Sequence, residues 1–203
     1  ERTACVITRV LVNGDDEGFK HPTKPVGPIL SPEVVMSADW DIAETIQGPR
    51  RVVASPLPMK VIDLPVIQKL VELHAVVLCG GGGGIPIVAK DDHFVGVPAV
   101  IDKDRLSALL AIQLEADALI ISTAIDAVRT DFGGANEKIH HRLSLDECER
   151  FLQQGEFPAG SMAPKIGSLM EAALHRPGLS AILCQPGEAL LALRGEAGTT
   201  IVV

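Results

Sequence analysis

The 203 residues are enough for one large domain or two small ones, and a hydrophobic share of 47% gives them a substantial core to bury. A net charge of −8 argues against nonspecific nucleic-acid binding, which needs a basic surface. No apolar run reaches the roughly 20 residues needed to span a bilayer, and no signal peptide is visible, so a cytoplasmic protein with no membrane partner is expected.

In chain order, residues 4–12 are rich in Val, Ile, Leu and Thr and predict a strand that begins almost at once. A polar loop follows over 13–28. It holds Lys24 on a stiff Pro22-Thr23-Lys24-Pro25 segment, where a solvated lysine is the simplest reading. Ser31-Pro32-Glu33 has the form of a helix start. Residues 50–56 predict a short strand. Asp63-Leu64-Pro65 opens a helix to about Leu73, with Leu64, Ile67, Leu70 and Val71 as its apolar positions.

Residues 75–78 read as a buried strand, and five consecutive glycines, Gly80 to Gly84, follow it. Without Cβ atoms this backbone can take positive φ angles and approach a ligand closely. Successive N–H groups in such a turn form a concave anion site. The run lies between apolar segments, which favours a phosphate or acyl-anion cradle over a flexible loop. It is neither a P-loop, since no Lys-Ser or Lys-Thr follows, nor a dinucleotide fingerprint, since no helix opens directly after it.

Residues 85–88 and 94–100 predict a hairpin whose Asp91, Asp92 and His93 form a solvated turn, so no metal site is assigned. Asp102-Lys103-Asp104 opens a helix with Leu106, Leu109, Leu110 and Leu114 on its apolar face. Residues 118–122 predict a buried strand and 123–128 a loop at its carboxyl end. Ser144-Leu145-Asp146-Glu147 is a capping box. Gly160-Ser161 precedes a helix that carries Lys165 in its first turn, and residues 180–184, 188–193 and 199–203 predict strand, helix and strand. This alternation predicts an α/β protein with a mostly parallel sheet and ligands beyond the carboxyl ends of its strands. The four cysteines match no zinc or CxxC spacing, and reduced, buried thiols are expected.

Lys103 and Lys165 both stand at helix N-termini, where the macrodipole disfavours a cation unless an anion is bound. Together with the glycine run they point to a polyphosphate site. In phosphoryl transfer a protein mainly positions groups and neutralises charge. No base is required when the acceptor is already an anion.

The chain resembles carbamate kinases of the amino acid kinase superfamily. The resemblance rests on Pro22-Thr23-Lys24-Pro25-Val26-Gly27-Pro28, Arg50-Arg51-Val52-Val53-Ala54-Ser55-Pro56, Gly81-Gly82-Gly83-Gly84-Ile85-Pro86, Ile101-Asp102-Lys103-Asp104, Asp126-Ala127-Val128, Gly160-Ser161-Met162-Ala163-Pro164-Lys165 and Gly195-Glu196-Ala197-Gly198-Thr199. It implies a three-layer α/β/α sandwich with a mostly parallel central sheet, a homodimer, and ATP–Mg²⁺ and carbamate as substrates, with ADP and carbamoyl phosphate as products. It implies catalytic roles for Lys103, Asp104 and Lys165, and phosphate or substrate binding by Gly81, Gly82, Gly83, Gly84 and Lys24. Nucleotide binding would fall to Thr123, Asp126, Ala127, Val128, Met162 and Pro164. It further implies a protruding subdomain over about 12–51.

The chain reads as the carboxyl-terminal two-thirds of such an enzyme, with weak nucleotide binding and little turnover expected of the 203 residues alone. Ala163 stands where the family usually has Gly, Ala124 where it often has Asp, and Arg129 where Tyr is frequent. The family reaction serves arginine fermentation and purine or allantoin breakdown. The competing readings are a sibling kinase acting on another acid acceptor and a non-catalytic nucleotide-binding homologue.

Overall fold

The computed structural model describes residues 2–73 and 75–203, and the chain divides into two compact units, Glu1–Leu106 and Ser107–Val203. In the first unit the apolar run over 4–12 makes two strands and not the single one expected. Strand β1 (Thr3–Cys5) pairs in parallel with β7 (Val76–Leu78), whereas β2 (Arg9–Val12) enters another sheet. The break falls where the Thr8 hydroxyl donates to the Val6 carbonyl at 2.9 Å and the Thr8 carbonyl accepts from the Ile85 amide at 2.8 Å.

A four-stranded sheet runs β6 (Pro58–Val61), β2, β8 (Ile85–Lys90), β9 (His93–Gly96). Its β2–β8 pair is parallel and its outer pairs are antiparallel. Val10, Val61, Ile67, Ile101 and Leu106 are its most deeply buried apolar side chains. Each such burial contributes about 1.5–3 kcal/mol. Helix α3 (Leu64–Glu72) opens at Leu64-Pro65 as expected, but of its four predicted apolar positions only Ile67 is fully buried, and Val71 faces outward.

Between β2 and β6 lie α1 (Glu17–Lys20), α2 (Pro32–Ser37) and an antiparallel sheet ordered β3 (Lys24–Val26), β5 (Gly48–Val53), β4 (Ile42–Thr45). Pro32 opens α2 at its first position, although the Ser31 side chain makes no capping bond there.

The strand over 75–78 is not buried as expected. Val76 and Leu78 are 54% and 57% exposed, because β7 shares a two-stranded ribbon with β1 and its outward side chains meet no covering layer among the described residues. Cys5, on the same ribbon, is exposed and so departs from the expected burial. All four thiols are free, with Cys148 and Cys184 buried and Cys79 half-buried.

Helix α4 (Lys103–Gln113) begins in the first unit and continues past the boundary. Its buried positions are Leu106, Ala108 and Ala111, and Leu109, Leu110 and Leu114 lie half-buried. Leu106 is buried as expected, and beyond it Ala108 and Ala111 take the tight contact that was assigned to Leu109, Leu110 and Leu114.

The second unit is built on a sheet ordered β10 (Ala118–Ser122), β14 (Ser180–Cys184), β15 (Thr199–Val202), β13 (Arg142–Ser144). β10–β14 and β13–β15 are parallel, and β14–β15 is antiparallel. A hairpin of β11 (Val128–Thr130) and β12 (Lys138–His140) stands apart from it. Helix α5 (Leu145–Gln153) starts with the predicted capping box, in which Ser144 and Glu147 satisfy each other's backbone amides. Helix α6 (Met162–His175) buries Ile166, Leu169, Ala172 and Ala173 against the core, and α7 (Ala189–Leu193) follows β14. Among the described residues no helix is long and apolar enough to cross a membrane.

Candidate active site

The glycine run makes a single tight turn over Gly81–Gly83 between β7 and β8. Gly83 has φ +108° and Gly84 φ +79°, values that side-chain-bearing residues rarely adopt. A Cβ on Gly83 would lie 1.9 Å from the Ile101 carbonyl oxygen, and one on Gly84 2.7 Å from Cγ2 of Val10. The turn therefore lies directly against the segment that leads into α4. Its Gly80 amide donates to the buried Thr8 hydroxyl at 2.8 Å, and the Gly83 and Gly84 amides donate to the carbonyls of Gly80 and Gly81. The exposed Gly81 and Gly82 amides take no part in these bonds, which leaves them suited to an anion.

At the start of α4, Asp102 and Asp104 are 8% and 6% exposed. Asp102 uses both carboxylate oxygens. Oδ1 accepts from the Asp104 amide at 2.9 Å and the Arg105 amide at 3.4 Å, and Oδ2 pairs with Nζ of Lys24 at 2.5 Å. Burial pushes the Asp102 carboxyl up, but the Lys24 ammonium and the two amides outweigh it and hold the carboxyl below its ordinary value. Nζ of Lys103 lies 3.4 Å from Oδ2 of Asp104, with the lysine side chain 63% exposed and the aspartate 8%. Lys24 reaches this place because β3 pairs with β5 in the register Lys24↔Val53, and the next residue, Ala54, bridges to Ala99.

In the second unit, the loop after β10 is anchored by the Thr123 amide donating to the Cys184 carbonyl at 2.9 Å. Asp126 is exposed, and both its carboxylate oxygens accept from Nη2 of Arg129 at 3.0 Å. That Arg129 hydrogen bond is the main reason the Asp126 carboxyl sits below its ordinary value. Ala127 and Val128 are fully buried, and the Val128 amide donates to the Thr199 hydroxyl at 2.8 Å. Their side chains face the core, so contact with a nucleotide there would be made by the backbone.

Beside this loop lies a cavity of about 510 Å³ lined by Ile125, Arg129, Phe132, Phe157, Pro158 and Met162, among others. It has the apolar walls and few polar groups that suit a planar heterocycle. Lys165 lies half-buried in the first turn of α6, and Pro164 bends nothing because it too falls within that turn.

Within the first unit the structure thus brings together the glycine turn, Lys24, Lys103 and Asp104. Within the second it brings Met162 to the same cavity as the loop that carries Asp126. Three functional candidates escaped the sequence reading in these roles. For Asp102 the sequence left open whether it helps at the site or merely caps the helix. Thr8 gave no signal, since its hydroxyl matters only through a chain turn remote in sequence. The cavity's Phe157 could have been noticed as one of only five phenylalanines, whereas Phe132 belongs to a Phe132-Gly133 pair that already resembles the family.

The amino acid kinase family model matches residues 29–182. The chain is 40% identical over 202 residues to a carbamate kinase of Clostridium perfringens (strain 13 / Type A), covering 97% of this chain and 64% of that protein. It is also 40% identical over 202 residues to the carbamate kinase-like protein YqeA of Escherichia coli (strain K12), covering 98% and 65%. The crystal structure of carbamate kinase from Giardia lamblia bound to AMP-PNP superposes with a TM-score of 0.87 at 32% identity, covering 99% of this chain and 65% of that one. The chain thus spans about 65% of the length of these relatives. Its mixed sheets with flanking helices are consistent with the three-layer sandwich of these kinases. On this match the chain belongs to the amino acid kinase family, and the relatives named above are carbamate kinases and a carbamate kinase-like protein.

Proposed function

We propose that this chain carries phosphoryl-transfer machinery of the carbamate kinase type, which moves the γ-phosphoryl group of ATP to carbamate and, in reverse, the phosphoryl group of carbamoyl phosphate to ADP. The observation that carries this reading is the packing of the Gly83 backbone directly on Ile101, next to the Asp102-Lys103-Asp104 helix start. That contact sets the glycine turn against the segment leading into α4, where Lys103 pairs with the buried Asp104. The names and resolved nucleotide analogue of the relatives support the same reading.

In this proposal a carbamate oxygen attacks the γ-phosphorus while the bond to the ADP oxygen breaks. The acceptor is already anionic, so no proton has to be removed from it. Lys103 and Lys165 neutralise charge on the migrating group, and Asp104 orients Lys103. Gly81, Gly82, Gly83 and Gly84 supply the backbone cradle, and Lys24 faces the acceptor. Thr123, Asp126, Ala127, Val128, Met162 and Pro164 flank the nucleotide, and the cavity lined by Phe132 and Phe157 takes its base.

Magnesium is usually bound through substrate phosphates with one or two carboxylates. Among the described residues no three His, Cys, Asp or Glu side chains gather in a metal-binding group, and Asp104 is the carboxylate best placed to assist such an ion. When bound it would offset phosphate charge. We further propose a homodimer acting in arginine or purine and allantoin catabolism in the cytoplasm, with residues 12–51 as a subdomain over the acceptor.

The kinase-like relative of equal identity keeps a second reading in view, in which a sibling acid is phosphorylated instead. A panel of carbamate, acetate, glutamate and other acyl acceptors with ATP tests both readings in the protein that carries these residues. Turnover with carbamate alone is expected. Turnover confined to another acid favours the sibling reading, and ATP binding with no turnover on any acceptor favours a non-catalytic homologue.

A further inference from the structure

We infer that Asp102 is a positioning residue that clasps Lys24 and so fixes the segment around β3 to the start of α4. The inference rests on the proposed role of Lys24 at the acceptor. The geometry itself lies wholly within the first unit. Asp102 is buried, and its two oxygens do different work. Oδ1 caps α4 through the Asp104 and Arg105 amides, and Oδ2 binds the Lys24 ammonium. Helix capping alone would need one oxygen. The other is committed to a lysine 78 residues away in sequence.

The backbone explains why this clasp is stiff. β3 is registered on β5 through Lys24↔Val53. The next residue, Ala54, pairs with Ala99, and the Val100 amide donates to the Ala54 carbonyl at 2.9 Å. From Val100 the chain runs through the buried Ile101 to Asp102. The ion pair therefore closes a ring of backbone pairings, and only its last link is a side-chain contact. A lysine side chain has four rotatable carbons and on its own would scan a wide arc. The carboxylate reduces that arc to one position, close to Lys103 and Asp104. Asp102 is the carboxylate bound to Lys24.

The test uses the protein that carries these residues and does not depend on turnover, so its failure is distinguishable from failure of the proposed reaction. Asp102→Asn keeps an oxygen that can cap α4 but loses the charge. Asp102→Ala loses both, and Lys24→Met removes the ammonium. The Lys24 side-chain ammonium is followed by ¹H–¹⁵N NMR, and amide exchange is followed by mass spectrometry. The wild type is expected to show a slowly exchanging Lys24 ammonium resonance, which disappears in D102N. Exchange over 24–26 and 50–54 is expected to rise at least threefold in D102N and K24M alike, with α4 protected as in the wild type. D102A is expected to loosen α4 as well, and D102N/K24M to add nothing to K24M. A Lys24 ammonium that persists in D102N overturns the inference. So does D102N exchange that matches the wild type over 24–26, or that changes in α4 alone.

Discussion

Substituting the glycines of the turn one at a time separates conformational strain from collision. Gly81 has an ordinary φ and open space around its would-be Cβ, so G81A is expected to be neutral or slightly stabilising, within about 1 kcal/mol. Gly82 has φ +68° with open space, so G82A carries backbone strain alone, about 1–2 kcal/mol. Gly83 adds a Cβ 1.9 Å from the Ile101 carbonyl oxygen to a φ of +108°. Something must move there, and overpacking contributes about 1–3 kcal/mol. G83A is therefore expected to destabilise the first unit by about 2–5 kcal/mol. Because Ile101 precedes Asp102, the shift also displaces the start of α4. Trp40 is the only tryptophan and lies in this unit, so its fluorescence through a urea titration reports the right transition. At a slope of about 1–3 kcal/mol per molar urea, the G83A midpoint falls by about 0.7 M or more. A G83A midpoint no lower than that of G82A refutes the packing argument.

Thiol chemistry offers a second check. Labelling at pH 8 is expected to modify the exposed Cys5 first and the half-buried Cys79 more slowly, since burial and then the neighbouring Cys5 raise its thiol. Cys148, pushed up to about 11 by burial, is expected to resist until unfolding, with a thiolate fraction of about one in a thousand at that pH. Mass spectrometry of the labelled peptides decides this, and early modification of Cys148 contradicts the buried core of the second unit. A third prediction concerns acid. Burial, and next Lys138, hold His140 below its ordinary value of 6.5. A folded value below the unfolded one means stability is intact above about pH 6.5 and is lost as pH falls through the folded value. Thermal unfolding between pH 7.5 and 5 is expected to show this slope and His140→Gln to flatten it. An unchanged slope in that variant rules His140 out as its source.

Much of the fold was legible because its signals are local. The Ser144 capping box and the Pro65 helix start each declare themselves within a few residues, and both stand in the structure as expected. The single strand over 4–12 failed because apolar content says nothing about which sheet a residue joins. The Thr8 hydroxyl divides it through contacts to Val6 and Gly80. The buried reading of 75–78 failed for a related reason, since alternation could not reveal that Val76 and Leu78 face outward from a two-stranded ribbon.

The site was legible in its residue types and not in its couplings. Lys103 between two aspartates was visible as a helix start. The pairing of Asp102 with Lys24, read from its polar loop as a solvated lysine, depends on the β3–β5 register and could not be read from spacing. Likewise Ala127 and Val128 matched a motif whose side chains turn out to be buried.

Lys103 and Lys165 are proposed to act on one migrating phosphoryl group. Formation of ATP from ADP and carbamoyl phosphate, followed in the protein that carries these residues and in its Lys103→Ala and Lys165→Ala variants, tests it most directly. Loss of one preorganised cationic or hydrogen-bonding group at a developing charge lowers kcat about 10²–10³-fold. A loss of that size is expected in each variant, with the fold intact by circular dichroism. Wild-type rates in both variants would contradict it.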